Sequence, residues 1–442
     1  MNALSQNFSF PSLLRFALPT IIMMVFMSLY TMVDGVFVSR LIGTKALSAV
    51  NIVYPLINFV VAVGIMLASG GSAIIAKQMG EGRAREANEN FSFITVVGIL
   101  MGAVLSILGF IFIEPLLRLL GANDAIYGYC YDYTRMLLFF IVPSIMQMLF
   151  QFFFVAAGKP NTGLLVTVAG GVANIILDYV FIALAGMGIR GAALATGIGY
   201  SIPGLFGLIY FTAKRKGTLY FVKPRFRPAV LLKTCTNGAS EMVTNISTAV
   251  VTFLFNIIMM NYLGEDGVAA ITIVLYAQFL LTSLYMGYSS GVAPVISYNY
   301  GKNNHRQLKK LFRISMVFLS VSSVLMYVLA LLLENSIITI FTAPGTEVFA
   351  IAENGFRLFA FAYLFMGINI FASSLFTALS NGKVSAILSF LRTFVFIVLA
   401  IGILPRVIGI NGVWLAVPAA EVLAIAVSLF YIHTLRGRYK YA

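Results

Sequence analysis

Apolar residues fill this chain in long blocks, broken by short clusters of Gly, Pro and charge. A membrane-crossing helix needs about 20 apolar residues. The breaks divide the chain into twelve candidate spans, roughly 13–38, 47–76, 89–113, 126–156, 162–185, 190–213, 231–262, 268–298, 310–333, 347–378, 384–404 and 411–433. Several exceed the minimum length, so tilt, kinks or protrusion into water are expected. Pro19, Pro55, Pro143 and Pro294 are the kink candidates.

The block pattern repeats. Residues 46–89 realign on 267–310 at an offset of 221, half the length of the chain. Ala49-Val50 meets Ala270-Ile271, Gly70 meets Gly291, Gly80 meets Gly301 and Arg85 meets Arg306. Further on, Arg135 matches Arg357, Gly158-Lys159 matches Gly382-Lys383, and Gly191-Ala192 matches Gly412-Val413. Each half therefore carries six spans. Six is even, so both halves enter from the same face and are related by a pseudo-twofold axis along the membrane normal. The predicted fold is an all-α polytopic membrane protein of two six-helix lobes. These are residues 1–213 and 231–442, joined by a basic linker at 214–230 with Pro224 and Pro228. The meeting of two such lobes is the natural place for a substrate cavity.

Composition agrees with lipid as the solvent. The 442 residues are 60% hydrophobic and 10% charged, against about 25% charged in a soluble domain, and the mean hydropathy is +0.96. The net charge of +14 does not signal nucleic-acid binding, because the cations gather in particular loops. Of the 29 Lys and Arg, 21 lie on the side that holds both termini, five on the other side, and Arg135, Arg357 and Arg392 within spans. This excess places both termini in the cytoplasm of a cell-membrane protein. It is read as a topology signal, not as a lipid-specific site. Cys130 and Cys235 lie in different segments, with no metal or disulfide spacing. The first apolar block exceeds a signal h-region and no small-residue cleavage site follows it, so it is read as a retained span.

The informative residues are the polar ones inside spans. Asp34 is the only acid of the first block. An acid at the centre of a membrane helix costs about 2.5–3.5 kcal/mol, so it needs a partner, a proton or an ion; the bland alternative is a helix-end acid reaching water. Tyr30 lies one turn before Asp34, on the same face. In span five, Asn174 and Asp178 are again one turn apart. Their carbonyl and carboxylate oxygens suit a small cation, or a proton shared with a second carboxylate; interhelical hydrogen bonding is the alternative. Thr196 adds a hydroxyl in span six, where bonding to its own helix is equally open. At the repeat offset Asp34 falls opposite Phe255 and Asp178 opposite Leu399, so these acids belong to one half only. The other half has Glu241, Arg392 and Glu421; Arg392 and Glu421 can pair, and Glu241 can sit solvated near its span end. Glu241, Gln147, Arg392 and Glu421 are the candidates for a substrate-cavity wall. Abundant Phe and Met suit an adaptable wall, although lipid-facing Phe accounts for many of them.

In this order, on twelve spans with a half-length repeat, the motifs resemble the multidrug and toxic compound extrusion (MATE) family over nearly the whole chain. They are Pro19 fifteen residues before Asp34, Val33-Asp34 followed by Ser39-Arg40-Leu41-Ile42-Gly43, Asn174 through Asp178, and Gly191-Ala192-Ala193 with Ala195-Thr196. The short basic loops and Glu241 look most like its bacterial MepA-type subgroup. The resemblance implies a coupling-cation site at Tyr30, Asp34, Asn174, Asp178 and Thr196, with Na⁺ at Asp34, Asn174, Asp178 and Thr196 as one form of it, and a helix bend at Pro19. Another branch of the family places coupling acids in the second lobe, including one in span ten. Here span ten has acids only at its starting edge, Glu347 and Glu353.

The expected function is secondary active export of organic cations or amphipathic drugs, in exchange for H⁺ or Na⁺, by alternating access. The partners are small molecules and membrane lipid, without a resident cofactor, and the chain is taken to act as a monomer. A lipid-linked saccharide flippase shares the plan but calls for a more basic cavity. A membrane-embedded enzyme calls for a catalytic cluster, and His305 and His433 stand at span ends without an HExxH or GxSxG motif.

Overall fold

The computed structural model describes residues 3–215 and 217–442, with side chains at all of these but positions 36, 39 and 44. Met1, Asn2, the linker's Lys216 and the side chain of Ser39 therefore lie outside the described residues. Among the described residues nine helices are long and apolar enough to cross a bilayer, and two bent helix pairs qualify as further spans. One of the nine, Pro228–Gly301, has 74 residues. At about 1.5 Å per residue it is several times too long for a ~30 Å hydrocarbon layer. Gly264 breaks it, with φ 64° and ψ −150°, a conformation open to glycine because it lacks a Cβ. The two pieces are spans seven and eight, and the total is twelve.

The spans start where the sequence supplies helix-start chemistry. Pro11, Pro160 and Pro228 stand in first turns, where a missing amide costs nothing. Asn304, Thr346 and Asn381 each accept a hydrogen bond from an amide three residues on. Span four is Tyr127–Leu138 with Ile141–Ala156, bent by 57°, and span ten is Glu347–Ala360 with Tyr363–Ala378, bent by 54°. Pro143 follows the first bend closely, but the second forms without a proline. Position in each half therefore sets the bend, and the proline is accommodated by it. Pro19, Pro55 and Pro294 lie inside helices that continue past them.

The two halves meet on the face that carries both termini, through glycines. A Cβ added to Gly70 would collide with the Thr234 carbonyl, and one on Gly238 with the Met66 carbonyl, so spans two and seven touch backbone to backbone. Gly80 abuts the Tyr298 carbonyl and Gly301 the Lys77 carbonyl. Residues 77 and 298 are themselves 221 apart, so these last two contacts exchange under the repeat. The seam is thus built around the pseudo-twofold axis. Span one joins it: Gly291 packs on Ala17, and Gly287 on Thr20 and Ile21, the residues either side of Pro19.

Candidate functional site

Span five crosses span six where side chains are smallest. A Cβ on Gly170 would stand 2.6 Å from the Gly199 carbonyl oxygen, and one on Gly199 would stand 3.0 Å from the Asn174 Cβ. Gly171 gives the same room to the Phe26 ring of span one, which lies 5.8 Å from the Tyr30 ring. Three spans are thereby drawn together just where they carry polar groups.

The Asp34 and Asp178 carboxyl groups lie close to one another, within direct electrostatic reach. Asp178 is fully buried and Asn174 nearly so, whereas Asp34 is half-buried. Both Asp178 oxygens, Asp34 Oδ1, and both Asn174 amide atoms are buried without a hydrogen-bond partner among the described residues. Each unanswered buried polar atom costs about 1–3 kcal/mol, and charged ones cost more. The Thr196 hydroxyl donates to its own helix, at the Ala192 carbonyl, 3.0 Å away. A small cavity of ≈ 10 Å³ is bounded by Tyr30, Gln147, Asn174, Thr196 and Tyr200 among others, one helical turn from Asp34 and Asp178, which do not themselves line it. That is room for about one water or bare ion.

Backbone irregularity marks the same places. A π-helical turn, Val38–Ile42, follows Asp34, and another, Tyr179–Leu184, begins immediately after Asp178. A third, Leu391–Val395, contains Arg392. Such turns widen a helix locally and recur at functional sites.

Two residues at this site were not singled out from the sequence. Tyr133 of span four lies close to both carboxyl groups, and Tyr200 lies close to Tyr30, Tyr133 and Asp34. Tyr200 stands one turn after Thr196, a spacing that signals a shared face. Nothing in the local sequence marks Tyr133. Gln147 joins the site, with its Oε1 buried and unpartnered.

The second half answers its acid internally. Arg392 Nη1 donates to Glu421 Oε1 at 3.2 Å, Asn369 Nδ2 donates to Oε2 at 2.7 Å, and the Ser428 hydroxyl donates to Asn369 Oδ1 at 2.9 Å. The hydroxyls of Ser373, Ser385, Ser389 and Thr377 form a second, separate buried network on spans ten and eleven. Glu421 therefore sits in a closed ion pair. Glu241, half-buried on span seven, lies within electrostatic reach of the same Arg392 but, among the described residues, forms no ion pair with it. Glu421→Gln or Arg392→Gln leaves the other charge buried and alone, and each is expected to cost about 3–5 kcal/mol of stability. The double change Arg392→Met/Glu421→Met should recover most of it, as thermal unfolding in detergent will register.

Among the described residues no group of three or more His, Cys, Asp and Glu could hold a metal ion. The first-half site, with two carboxylates and neutral oxygens, is suited in charge to protons or a monovalent cation.

The MatE family model matches residues 19–180 and again 242–401, once in each half. The multidrug export protein MepA of Staphylococcus haemolyticus (strain JCSC1435) is 23% identical over 431 residues, which cover 97% of this chain and 94% of that one. Among solved structures, MATE in complex with MaL6 superposes with a TM-score of 0.94 at 21% identity, over 100% of this chain and 99% of that one. An outward-facing multidrug resistance MATE family transporter of the MOP superfamily gives 0.91 at 23% identity, over 97% and 96%. At these identities the structures speak for the twelve-helix fold alone.

Proposed function

The chain belongs to the MatE family of membrane transporters, and from that premise we propose that it is a secondary active multidrug exporter driven by cation exchange. One observation carries the proposal. Two carboxyl groups lie together at a buried site where three of their four oxygens have no donor among the described residues, while Glu421 and Glu334, buried acids of the other half, are each paired with an arginine. A group already answered by Arg has no need of an ion; Asp34 and Asp178 have one.

In this reading H⁺ or Na⁺ enters the site and neutralises the pair, with Asn174 Oδ1 and the Thr196 hydroxyl oxygen as further ligands for Na⁺. Tyr30 closes one side. Neutralisation removes the repulsion between the two carboxylates, which stand on spans one and five. Span one carries the change to the seam, because Pro19 lies between Ala17 and Thr20, which touch span eight. Pro19 offers no amide to the preceding turn, so the helix bends there at low cost. Seam opening and closing then alternates access for an organic cation or amphipathic drug, the substrate class suggested by the name of the MepA relative. Glu241 and Gln147 are the polar groups proposed for its wall. The basic loops place both termini in the cytoplasm of the cell membrane, and one chain contains the whole site, so a monomer suffices.

The test is efflux of a fluorescent organic cation from vesicles under separately imposed Na⁺ and pH gradients. Acceleration by one gradient supports exchange and names the ion. Equal rates under both gradients and under neither would overturn it.

A further inference from the structure

We propose that the terminus-side end of span nine is a binding site for the phosphate headgroups of anionic phospholipids. The lipid-facing stripe of this span is Val317, Val321, Val324 and Val328, between 43% and 64% exposed. Continued toward the termini at steps of three and four, it runs into Arg313, Lys310, Lys309 and Arg306, all exposed. One helix face is thus apolar where acyl chains lie and fourfold cationic where headgroups begin.

A positive-inside bias alone does not account for this, because the other half treats the same place differently. At the 221 offset, the stripe reappears on span three as Val96, Leu100 and Ile107. The four cations, however, fall opposite Ser92, Glu89, Asn88 and Arg85. There the linker lies across the helix. The Tyr220 amide donates to Asn88 at 2.8 Å and the Val222 amide to Ser92 at 3.0 Å. Arg227 bridges Glu86 and Glu89 at 2.8 and 2.9 Å. Phe221 stacks on Phe91, 4.8 Å between centroids, and Tyr441 takes the matching place against Phe312 at 5.0 Å, tilted and not stacked. Beyond that ring the likeness ends. The first half presents acids and receives an arginine of its own chain. Among the described residues the ion pairs on this face all involve Glu81, Glu86 or Glu89 of the first half. The second half has Lys302, Gln307 and Lys310 at those three positions, and its matching partner is an anion from outside the chain.

The inference stands apart from the transport reading and survives its failure. The full chain is placed in nanodiscs of equal phosphatidylglycerol and phosphatidylcholine, and retained lipid is weighed by native mass spectrometry. Preferential retention of phosphatidylglycerol is expected, falling about fivefold per cation removed. The variant Arg306→Gln/Lys309→Gln/Lys310→Gln/Arg313→Gln should therefore lose most of the preference. The control Lys214→Gln/Arg215→Gln/Lys223→Gln/Arg225→Gln, of equal charge, should keep it within twofold. Should the fourfold variant fail to fold, Lys310→Gln/Arg313→Gln alone should lower retention more than tenfold. No preference in the wild type, or equal loss in the control, would reduce the patch to general surface charge and overturn the site. Displacement of the lipid by millimolar inorganic phosphate would make it a site for the free ion and overturn the lipid assignment.

Discussion

Asp34→Asn and Asp178→Asn are each expected to end ion-driven export while leaving the protein folded. Asparagine keeps the shape of the side chain but neither takes up a proton nor offers a negative charge. Each elementary charge moved with the cycle supplies about 2.3 kcal/mol per 100 mV, so removing one from the exchange lowers the attainable drug gradient about fortyfold. The expected readout is a fluorescent-cation efflux rate at background under both Na⁺ and pH gradients. Thermal stability should hold or rise, since each variant removes one of two like charges close to one another at a site where three of the four oxygens have no donor among the described residues. That combination separates a coupling role from a structural one. An ion-paired structural acid such as Glu421 would lose stability instead. Wild-type export by both single variants would remove Asp34 and Asp178 from the mechanism.

How much of this could be read from the chain depends on the distance over which each signal acts. The spans are written locally, as apolar blocks, and all twelve are present. The division at Gly264 between spans seven and eight falls inside the gap left between blocks 231–262 and 268–298. Tyr30 with Asp34, and Asn174 with Asp178, were legible because one helical turn places each pair on one face. Their meeting across spans was an expectation that composition could not supply; Gly170, Gly171 and Gly199 supply it by letting three helices close up. Tyr133 stayed hidden because its relation to the acids is wholly between spans. The pairing of Arg392 with Glu421 was foreseen as an alternative to a cavity role, and it is the arrangement found. The linker read as a connector. Its docking on Asn88 and Ser92 depends on backbone amides, which leave no mark in the side-chain pattern.

Gly80→Leu and Gly301→Leu are expected to act alike, because the repeat interchanges them. Each would drive a side chain into a carbonyl of the opposite half, Tyr298 in one case and Lys77 in the other. A carbonyl held in a helix ladder has nowhere to retreat, so the strain opens the seam. Overfilling a close contact costs about 1–3 kcal/mol, which shifts a two-state balance away from the sealed form by roughly 5- to 150-fold. Export should fall by about tenfold or more, since a seam that stays open cannot alternate. The site at Asp34 and Asp178 is untouched by either change, so protection of the folded state by the coupling ion should persist in both. A native reporter stands at the seam. Cys235, half-buried, adjoins Thr234, whose carbonyl faces Gly70, while Cys130 is buried. Labelling of Cys235 by a water-soluble maleimide, in a Cys130→Ser background, should accelerate in both variants. Unchanged labelling together with wild-type export in either one would mean that some other contact holds the halves shut.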